Sequence, residues 1–435
     1  MQSETVNLVT TWVGWLDLAL FIIAYYFIAT KESHEIDKAK PALFAGVLMF
    51  FLIGIYYSIS NINPEPLDKE LEALILYISK IFFFLLVSMT YIETLIERRV
   101  FDVLRYKLVS KAYTYKQLFW FTGFLTFFIS SVTNNFTAAL ILSTVLITID
   151  IKNTPFLVVS AVNIVVAANA GGAWSPFGDI TTLMVWTSNK SEFINFLYLF
   201  PATLSGWVVT AFLLSLSIPK GKPNFDVSLE EKPVLQDGAM GVVFLGISTI
   251  TIAVLGHHFF HFPAMWGMLF GLALLKLYST HLQKSGQVDF CVYFNMQKIK
   301  KGTLLFLFGI FSAIGALHFL GFLHYVHNLY DMLGITTANI GVGFISAIID
   351  NVTVMNTIIK SSPNMGIEQW MLVSMTIGIG GSLISFGSAA GVGVMGRLHG
   401  IYTVATHMRY AWTVFIGYLV SIAIWYIQFK IMGLY

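Results

Sequence analysis

The chain has little charge and almost no cysteine. Only 11% of its 435 residues are charged, against roughly 25% in an average soluble domain, so water is not the main solvent for its surface. The formal net charge of +2 gives no reason to expect nucleic acid or an acidic partner. The single cysteine, Cys291, excludes an intramolecular disulfide and a thiolate metal cluster.

Long apolar runs are abundant, and hydrophobic residues make up 57% of the sequence. A single soluble core stops growing at about 250 to 300 residues, so we expect burial in lipid, in helical spans of about 20 residues. Residues 1–8 lack the basic region of a secretory signal, and the first run is expected to be a retained helix. Ten runs of spanning length lie near residues 8–30, 41–60, 73–92, 156–187, 196–218, 239–257, 262–279, 302–322, 368–396 and 410–432.

Two further apolar stretches, 117–149 and 335–360, are interrupted near their centres by polar residues. Lipid-exposed irregular backbone is too costly to be stable, so we predict that each stretch is a re-entrant hairpin inside the protein. The interrupting residues are Thr133, Asn134 and Asn135 in the first stretch, and Asp350 and Asn351 in the second.

The two polar interruptions align with each other, and so do two glycine-rich segments downstream. Residues 130–137 match 346–353, and residues 171–179 match 380–388, with a short insertion or deletion between the two matches. Each half holds five spans, an odd number, so the repeats are predicted to be inverted. Such repeats place the substrate site near the middle of the membrane, where broken helices line a wet cavity.

Charges in the loops predict the orientation. Loop 93–116 carries Arg and Lys at six positions, whereas loop 61–72 is acidic, so the first is predicted to be cytoplasmic and the second external. Both termini are then external. Apolar residues between Thr94 and Lys111 recur at helical spacing, which favours an interfacial helix or, alternatively, a solvated cytoplasmic one.

The predicted fold is an all-α polytopic membrane protein of two inverted five-helix repeats, each with a re-entrant hairpin and a broken transmembrane helix. We expect it in the inner membrane of the cell as a multi-pass protein. Its predicted parts are a first repeat at 1–218 (hairpin 117–149, broken helix 156–187), a cytoplasmic linker at 219–238 and a second repeat at 239–435 (hairpin 335–360, broken helix 368–396).

The segment from Asn169 to Thr182 indicates a break in its span. It contains Gly171, Gly172, Gly178 and Pro176, and a straight helix is incompatible with that composition. Backbone carbonyls released by the break would suit a hard cation. A packing kink of the kind common in membrane helices is the alternative interpretation.

Asp179 is the first candidate for the functional group, and Asp350 is the second. A carboxylate deep in a membrane is costly and by default marks an ion or proton path. Such a group can hold a proton or a sodium ion but not comfortably both, which would allow exchange. The alternative is a carboxylate that caps a half-helix. Neutral oxygens, which could equally serve helix packing, are offered by Ser130, Asn134, Asn135, Ser346, Asn351, Ser382, Ser385 and Ser388.

Other charged residues are weaker candidates. Asp17 follows Trp12 and Trp15, an aromatic pair typical of the outer interface, and Lys80 could extend towards the headgroups. Glu93, at the inner end of its span, is a candidate for proton entry and pH response. Surface positions at helix ends are predicted for His257, His258, His261, His399 and His407.

These motifs resemble the NhaD-type sodium/proton antiporters, in the ion transporter superfamily that also holds arsenite, citrate and dicarboxylate carriers. The resemblance covers almost the whole chain, with specific matches at 89–105, 134–137, 167–186, 350–351 and 380–396. It implies a homodimeric, elevator-like transporter in the lipid bilayer that expels Na+ or Li+ in exchange for protons, without a cofactor.

The resemblance also implies which residues bind the ions. Many relatives are expected to have an acid where this chain has Asn134. Sodium is expected at Asp179, Asn135, Asn351 and Asp350. The remaining positions carried over by motif are Ser130, Asn134, Asn169, Thr181, Thr182, Ser346, Ser385 and Ser388. Gly171 and Gly172 of the break are predicted to belong to the same site.

Two other classes of protein use comparable features. A sodium-coupled anion symporter could share the scaffold, but two acids would repel citrate or succinate and no mid-span arginine offers a clamp. An intramembrane aspartyl protease could use the same acids, but Pro176 stands where its G-x-G-D motif needs glycine. The sequence also lacks the H-E-x-x-H motif of zinc peptidases. We therefore predict a secondary transporter and not an enzyme.

Overall fold

The computed structural model describes residues 7–29, 37–109, 113–223, 232–284 and 290–434. These residues form helices and connecting turns, and no β-strand occurs among them. The all-helical prediction is confirmed for this part of the chain. Lys111 and the middle of the predicted linker, 224–231, lie outside the described residues.

Short polar turns separate most of the helices. In the first half these are α1 (Trp12–Ala29), α2 (Ala39–Ile59), α3 (Glu65–Glu97), α4 (Val100–Val109), α5 (Tyr115–Thr133), α6 (Asn135–Asp150), α7 (Thr154–Ala173), α8 (Ile180–Thr187), α9 (Phe193–Leu197) and α10 (Phe200–Ser215). In the second half they are α11 (Ala239–Phe260), α12 (Ala264–Lys284), α13 (Val292–Lys298), α14 (Lys301–Leu320), α15 (Leu323–Leu333), α16 (Ile335–Ser346), α17 (Asn351–Ser361), α18 (Ile367–Gly380), α19 (Ala389–Arg397), α20 (Val404–Met408) and α21 (Ala411–Tyr426), which continues as a π-helix (Ile427–Ile431).

Seven helical segments are long and apolar enough to cross a membrane, which confirms a polytopic membrane protein. The other three of the ten predicted spans correspond to α1, α12 and the pair α18–α19. The seven segments are Ala39–Ile59, Glu65–Glu97, Thr154–Ala173, Phe193–Ser215, Ala239–Phe260, Lys301–Leu320 and Ala411–Ile431.

The helix predicted between Thr94 and Lys111 is present as α4 (Val100–Val109), but a two-residue break separates it from the last turn of α3. Helix α3 extends to Glu97, and α4 begins only after Arg99, whose φ of 58° interrupts the helical backbone. Arg98 lies at this break and is 2% exposed. Its Nη2 donates a hydrogen bond to Glu97 Oε1 at 2.6 Å. Helical periodicity alone did not indicate that a buried arginine would be anchored here.

Two compact units make up the chain, and each contains residues from both halves. Unit 1 comprises the described residues of Met1–Phe83, Ile299–Ala338 and Thr353–Asn364, and unit 2 those of Phe84–Lys298, Asn339–Val352 and Met365–Tyr435.

The core of unit 1 is formed by α1, α2 and α14. Met49, Tyr57 and Phe319 are buried in it. Helices α2 and α14 lie so close together that a Cβ at Gly46 would collide with the carbonyl oxygen of Gly309. Glycine at this crossing therefore sets the distance between the two helices.

Helix α7 lies at the centre of unit 2. Asn153 caps its first turn, where its side chain accepts a hydrogen bond from the Phe156 amide at 3.2 Å, and Pro155 is tolerated in that turn. Every residue from Phe156 to Ala173 is buried, against α5, α6, α10 and α18. The C-terminal end of α7 therefore delivers its side chains into the interior of unit 2.

Gly46→Val should lower the thermal stability of the purified protein in detergent. Overpacking a tight helix crossing costs about 1 to 3 kcal/mol, because α2 must move away from Gly309. Gly54→Val is the matched control on the same helix, since nothing described lies within 4 Å of a Cβ there. Equal melting temperatures for the two variants would contradict this account of the crossing.

Candidate functional site

The break between α7 and α8 is a compact turn. The Gly178 amide donates a hydrogen bond to the Ser175 carbonyl oxygen at 3.0 Å. The Thr182 hydroxyl lies 2.8 Å from the carbonyl oxygens of Ser175 and Asp179. A Cβ at Gly178 would lie 2.6 Å from the Gly172 Cα, so glycine is required where the two sides of the break meet.

The first hairpin tip lies directly against this break. Asn134, with a φ of 104°, separates α5 from α6 and caps α6, where its side chain accepts from the Thr137 amide at 2.8 Å. The amide of the next residue, Asn135, donates to the Gly178 carbonyl oxygen at 2.8 Å. The predicted polar interruption is a true helix break, and its re-entrant path through a membrane stays a prediction.

Asp179 is 5% exposed and uses its two carboxylate oxygens differently. Oδ1 accepts from the Thr181 amide at 3.2 Å and caps α8. Oδ2 accepts from the Asn135 side-chain amide at 3.0 Å. The capping alternative is therefore correct for one oxygen, while the other points towards the hairpin tip.

Asn169 joins the two broken helices through its side-chain amide. Its Oδ1 accepts from Asn135 Nδ2 at 3.1 Å. Its Nδ2 donates to the hydroxyls of Ser382 and Ser388, at 2.8 Å each. A continuous hydrogen-bond chain therefore runs from Asp179 through two asparagines to the second break.

The second break, between α18 and α19, is built in the same way as the first. Ser388 caps α19 by accepting from a first-turn amide at 3.2 Å. A Cβ at Gly387 would lie 2.6 Å from the Ala347 carbonyl oxygen, and one at Gly381 would lie 2.6 Å from Asn351 Oδ1. The second hairpin tip therefore packs against the second break.

Equivalent serines tie each hairpin to its broken helix. The Ser130 hydroxyl donates to the Ala168 carbonyl oxygen at 2.5 Å. The Ser346 hydroxyl donates to the Ile377 carbonyl oxygen at 3.0 Å. In the alignment of the two halves, Ser346 corresponds to Ser130, and Ile377 lies at the position that corresponds to Ala168. The aligned segments therefore share contacts as well as residue types.

Three oxygens of the predicted site are buried without a hydrogen-bond partner among the described residues. They are Thr181 Oγ1, Asn351 Oδ1 and Ser385 Oγ. An unsatisfied buried acceptor costs about 1 to 3 kcal/mol, so such oxygens fit a cation or water ligand. In the described ranges there is no group of three or more His, Cys, Asp or Glu side chains that could hold a metal ion.

Asp350 lies at the second hairpin tip, half-buried. Its Oδ1 accepts from the Val352 amide at 3.0 Å, at the start of α17. It is close enough to Asp179 for the two carboxylates to interact electrostatically. Both predicted acids therefore belong to one electrostatic environment.

Comparison with known proteins assigns the family. A family model described as a citrate transporter matches residues 20–378. The Na(+)/H(+) antiporter NhaD of Alkalimonas amylolytica is 38% identical, over 97% of this chain and 92% of its own. The chain belongs to the NhaD family. NhaD of Vibrio cholerae is 36% identical over 97% of this chain and 93% of its own, and the Arabidopsis thaliana sodium/proton antiporter 1 is 28% identical over 87% of this chain and 66% of its own.

The weaker candidates of this NhaD-family member lie outside the hydrogen-bond chain described above. Lys80 and Glu93 are half-buried on α3. Asp17 is completely buried in unit 1, and neither of its carboxylate oxygens has a hydrogen-bond partner within the described ranges. Trp12 and Trp15 are 51% and 61% exposed, as a position at the membrane interface requires. Asp17 is not exposed, although the sequence predicted it near the same interface.

The surface position predicted for His407 is wrong. Its side chain is completely buried, and its Nε2 lies 2.9 Å from the Ser382 carbonyl oxygen. His258, His261 and His399 are exposed, as predicted. The sequence carried one local signal at His407, the Thr403 capping box that starts α20, but this signal predicts a helix and not its burial.

The sequence also did not indicate that Gly378 lies beside the candidate site. A Cβ at this position of α18 would lie 3.7 Å from the Asn169 carbonyl oxygen and 4.0 Å from Asp179 Oδ2. The absence of a side chain therefore keeps α18 from covering the carboxylate. A glycine in a glycine-rich helix gave no sequence signal for this role.

Asn169→Leu should destabilise the protein by about 1 to 3 kcal/mol, because it removes one buried hydrogen bond from each of the Asn135 side-chain amide and the hydroxyls of Ser382 and Ser388. The measurement is thermal unfolding in detergent. Asn328→Leu, at an exposed position of α15, is the control and should leave the melting temperature nearly unchanged. A variant as stable as the control would mean that the asparagine chain contributes nothing.

Proposed function

We propose that this chain is a secondary active antiporter that exports Na+ or Li+ in exchange for protons. The single observation that carries the proposal is the position of Asp179, a buried carboxylate whose Oδ2 faces the first hairpin tip. The names of the NhaD relatives, sodium/proton antiporters in bacteria and plants, support the same ions.

Competition at a carboxylate explains the exchange. Protonated Asp179 is neutral and needs no counter-ion, whereas the ionised group in a low-dielectric site needs a cation nearby. Sodium and a proton therefore replace each other at one group. The membrane proton gradient then drives sodium out when the site is exposed to each side in turn.

The proposed sodium ligands are the side chains of Asp179, Asn135, Asn351 and Asp350. The side-chain oxygen of Asn351, Oδ1, is buried without a partner in the described part of the chain, as a ligand oxygen would be before it meets a cation. Thr181 and Ser385 offer two further oxygens of the same kind. Carboxylate and neutral oxygens together suit a hard alkali cation.

The transport cycle we propose is an elevator-like movement of two inverted repeats with re-entrant hairpins, in a homodimer. The repeated hairpin-to-helix contacts of Ser130 and Ser346 support the internal symmetry. The proposed location is the inner membrane, with both termini external, because the basic residues concentrate in the loop after α3.

An anion symporter is not favoured at this site. The matching family model is described as a citrate transporter, but the two ionisable groups identified at the site are both carboxylates. An anionic substrate beside these two carboxylates would be repelled. Sodium-driven proton movement in vesicles that contain no organic anion separates the two functions.

Asp179→Asn should abolish exchange and leave the protein folded and inserted. Removing the charged partner of a buried cation costs about 3 to 5 kcal/mol, more than about a hundredfold in affinity. The assay is sodium-induced recovery of a quenched ΔpH probe in everted vesicles. Asp331→Asn, at an exposed position of α15, is the matched control, and wild-type exchange by the Asp179 variant would refute the proposal.

Asp350→Asn should raise the apparent KM for Na+ by about fivefold to tenfold, because it removes roughly 1 to 1.4 kcal/mol of attraction between the cation and a nearby charge. The same vesicle assay, run over a series of Na+ concentrations and pH values, measures this change. If neither the KM nor the pH profile moves, Asp350 does not belong to the site.

A further inference from the structure

Tyr402 and His407 form a buried pair beside the second helix break. Tyr402 is 1% exposed and His407 is 0% exposed. The Tyr402 hydroxyl oxygen lies 2.6 Å from His407 Nδ1, and the two rings meet edge to face with their centroids 5.8 Å apart. Tyr402 lies just before α20 and His407 lies within it, and this helix contacts α7.

The hydrogen bonds define the tautomer of His407. Its Nε2 is 2.9 Å from the carbonyl oxygen of Ser382, and a carbonyl oxygen only accepts, so Nε2 carries the proton. Nδ1 of the neutral ring is then an acceptor, and the Tyr402 hydroxyl donates to it. Each polar atom of the pair has a single assigned role.

Ser382 connects this pair to the site. Its backbone oxygen accepts from His407, while its hydroxyl accepts from Asn169 at 2.8 Å. Asn169 in turn accepts from Asn135, which donates to the Asp179 carboxylate. His407 thus acts on the acid only through other residues, and Ser382 is the residue that it holds directly.

Ser382 needs such a partner because the helix stops there. Gly380 ends α18, so the carbonyl groups that follow lack the amide donors of a continuing helix. A buried carbonyl without a donor is unfavourable, and an unrestrained one would let the break change shape. The His407 donor therefore fixes the backbone that orients the Ser382 hydroxyl and carries the nearby Ser385 oxygen.

We propose that His407, held by Tyr402, is a positioning residue that sets the Na+ affinity of the site by fixing Ser382 in the second break. This inference rests on the proposed function. It assigns no proton transfer to His407, because both ring nitrogens are used for orientation.

The experiment measures Na+-dependent exchange in everted vesicles for a set of matched variants. His407→Ala removes both hydrogen bonds, and Tyr402→Phe removes only the one that orients the ring. His407→Gln can place an amide donor near the Nε2 position, whereas the shorter His407→Asn reaches only the Nδ1 position. His399→Ala, at an exposed position, is the control.

A positioning role predicts a change in KM rather than in maximal rate. His407→Ala and His407→Asn should raise the KM for Na+ by about tenfold, as loss of an outer partner does at other ion sites. Tyr402→Phe should give a smaller rise, and His407→Gln should stay within about threefold of wild type. The rise in melting temperature on adding Na+ should shrink in the same order.

Three results would overturn the inference. One is an unchanged KM in both His407→Asn and Tyr402→Phe. A second is a His407→Gln variant no better than His407→Asn, and a third is a fall in maximal rate with no change in KM, which indicates only a structural role. If His407→Ala does not fold, the glutamine and asparagine pair decides the question. Wild-type protein without Na+-driven proton movement would instead refute the proposed function.

Discussion

Each broken helix leaves backbone groups with no partner in its own helix, and the structure around the site supplies those partners. The backbone amide of Asn135 donates to the Gly178 carbonyl oxygen at the first break. The His407 ring donates to the Ser382 carbonyl oxygen at the second break. Asp179 and Ser388 cap the half-helices that follow. Because buried polar groups must be paired, the breaks dictate which side chains can stand beside them.

The same requirement explains why amides surround the carboxylate. An asparagine side chain both donates and accepts, so a chain of them can satisfy a carboxylate at one end and hydroxyls at the other. Asn135 and Asn169 do this between Asp179 and the second break. A lysine or arginine at either position would instead form a permanent ion pair with the acid.

Much of this arrangement could be predicted from the sequence because breaks in membrane helices are costly and chemically conspicuous. Glycine and proline in the 169–182 segment indicated the first break, and Asn134 and Asp350 indicated the hairpin tips. These signals are local. Residue type and spacing therefore indicated the helix breaks and the hairpin tips, and the resemblance to a known family added further residues of the candidate site.

Other parts depend on contacts between distant residues and gave no usable signal. The bonds from Asn169 to Ser382 and Ser388 join residues more than 200 positions apart. His407 resembled a surface histidine because burial depends on the folding of the whole unit. Arg98, the first residue after α3, donates a hydrogen bond to the Asp237 carbonyl oxygen, which lies on a different segment of the chain.

The two aligned halves differ in where each carries its acid, and this difference determines where the carboxylates of the candidate site lie. In the alignment of the halves, Asn134 corresponds to Asp350, and Asp179 corresponds to Ser388. Each half thus contributes one carboxylate, at the tip in one case and at the helix cap in the other. An additional acid at Asn134 would bring a third negative charge close to Asp179, and each added charge in a low-dielectric region is costly unless a cation or proton neutralises it.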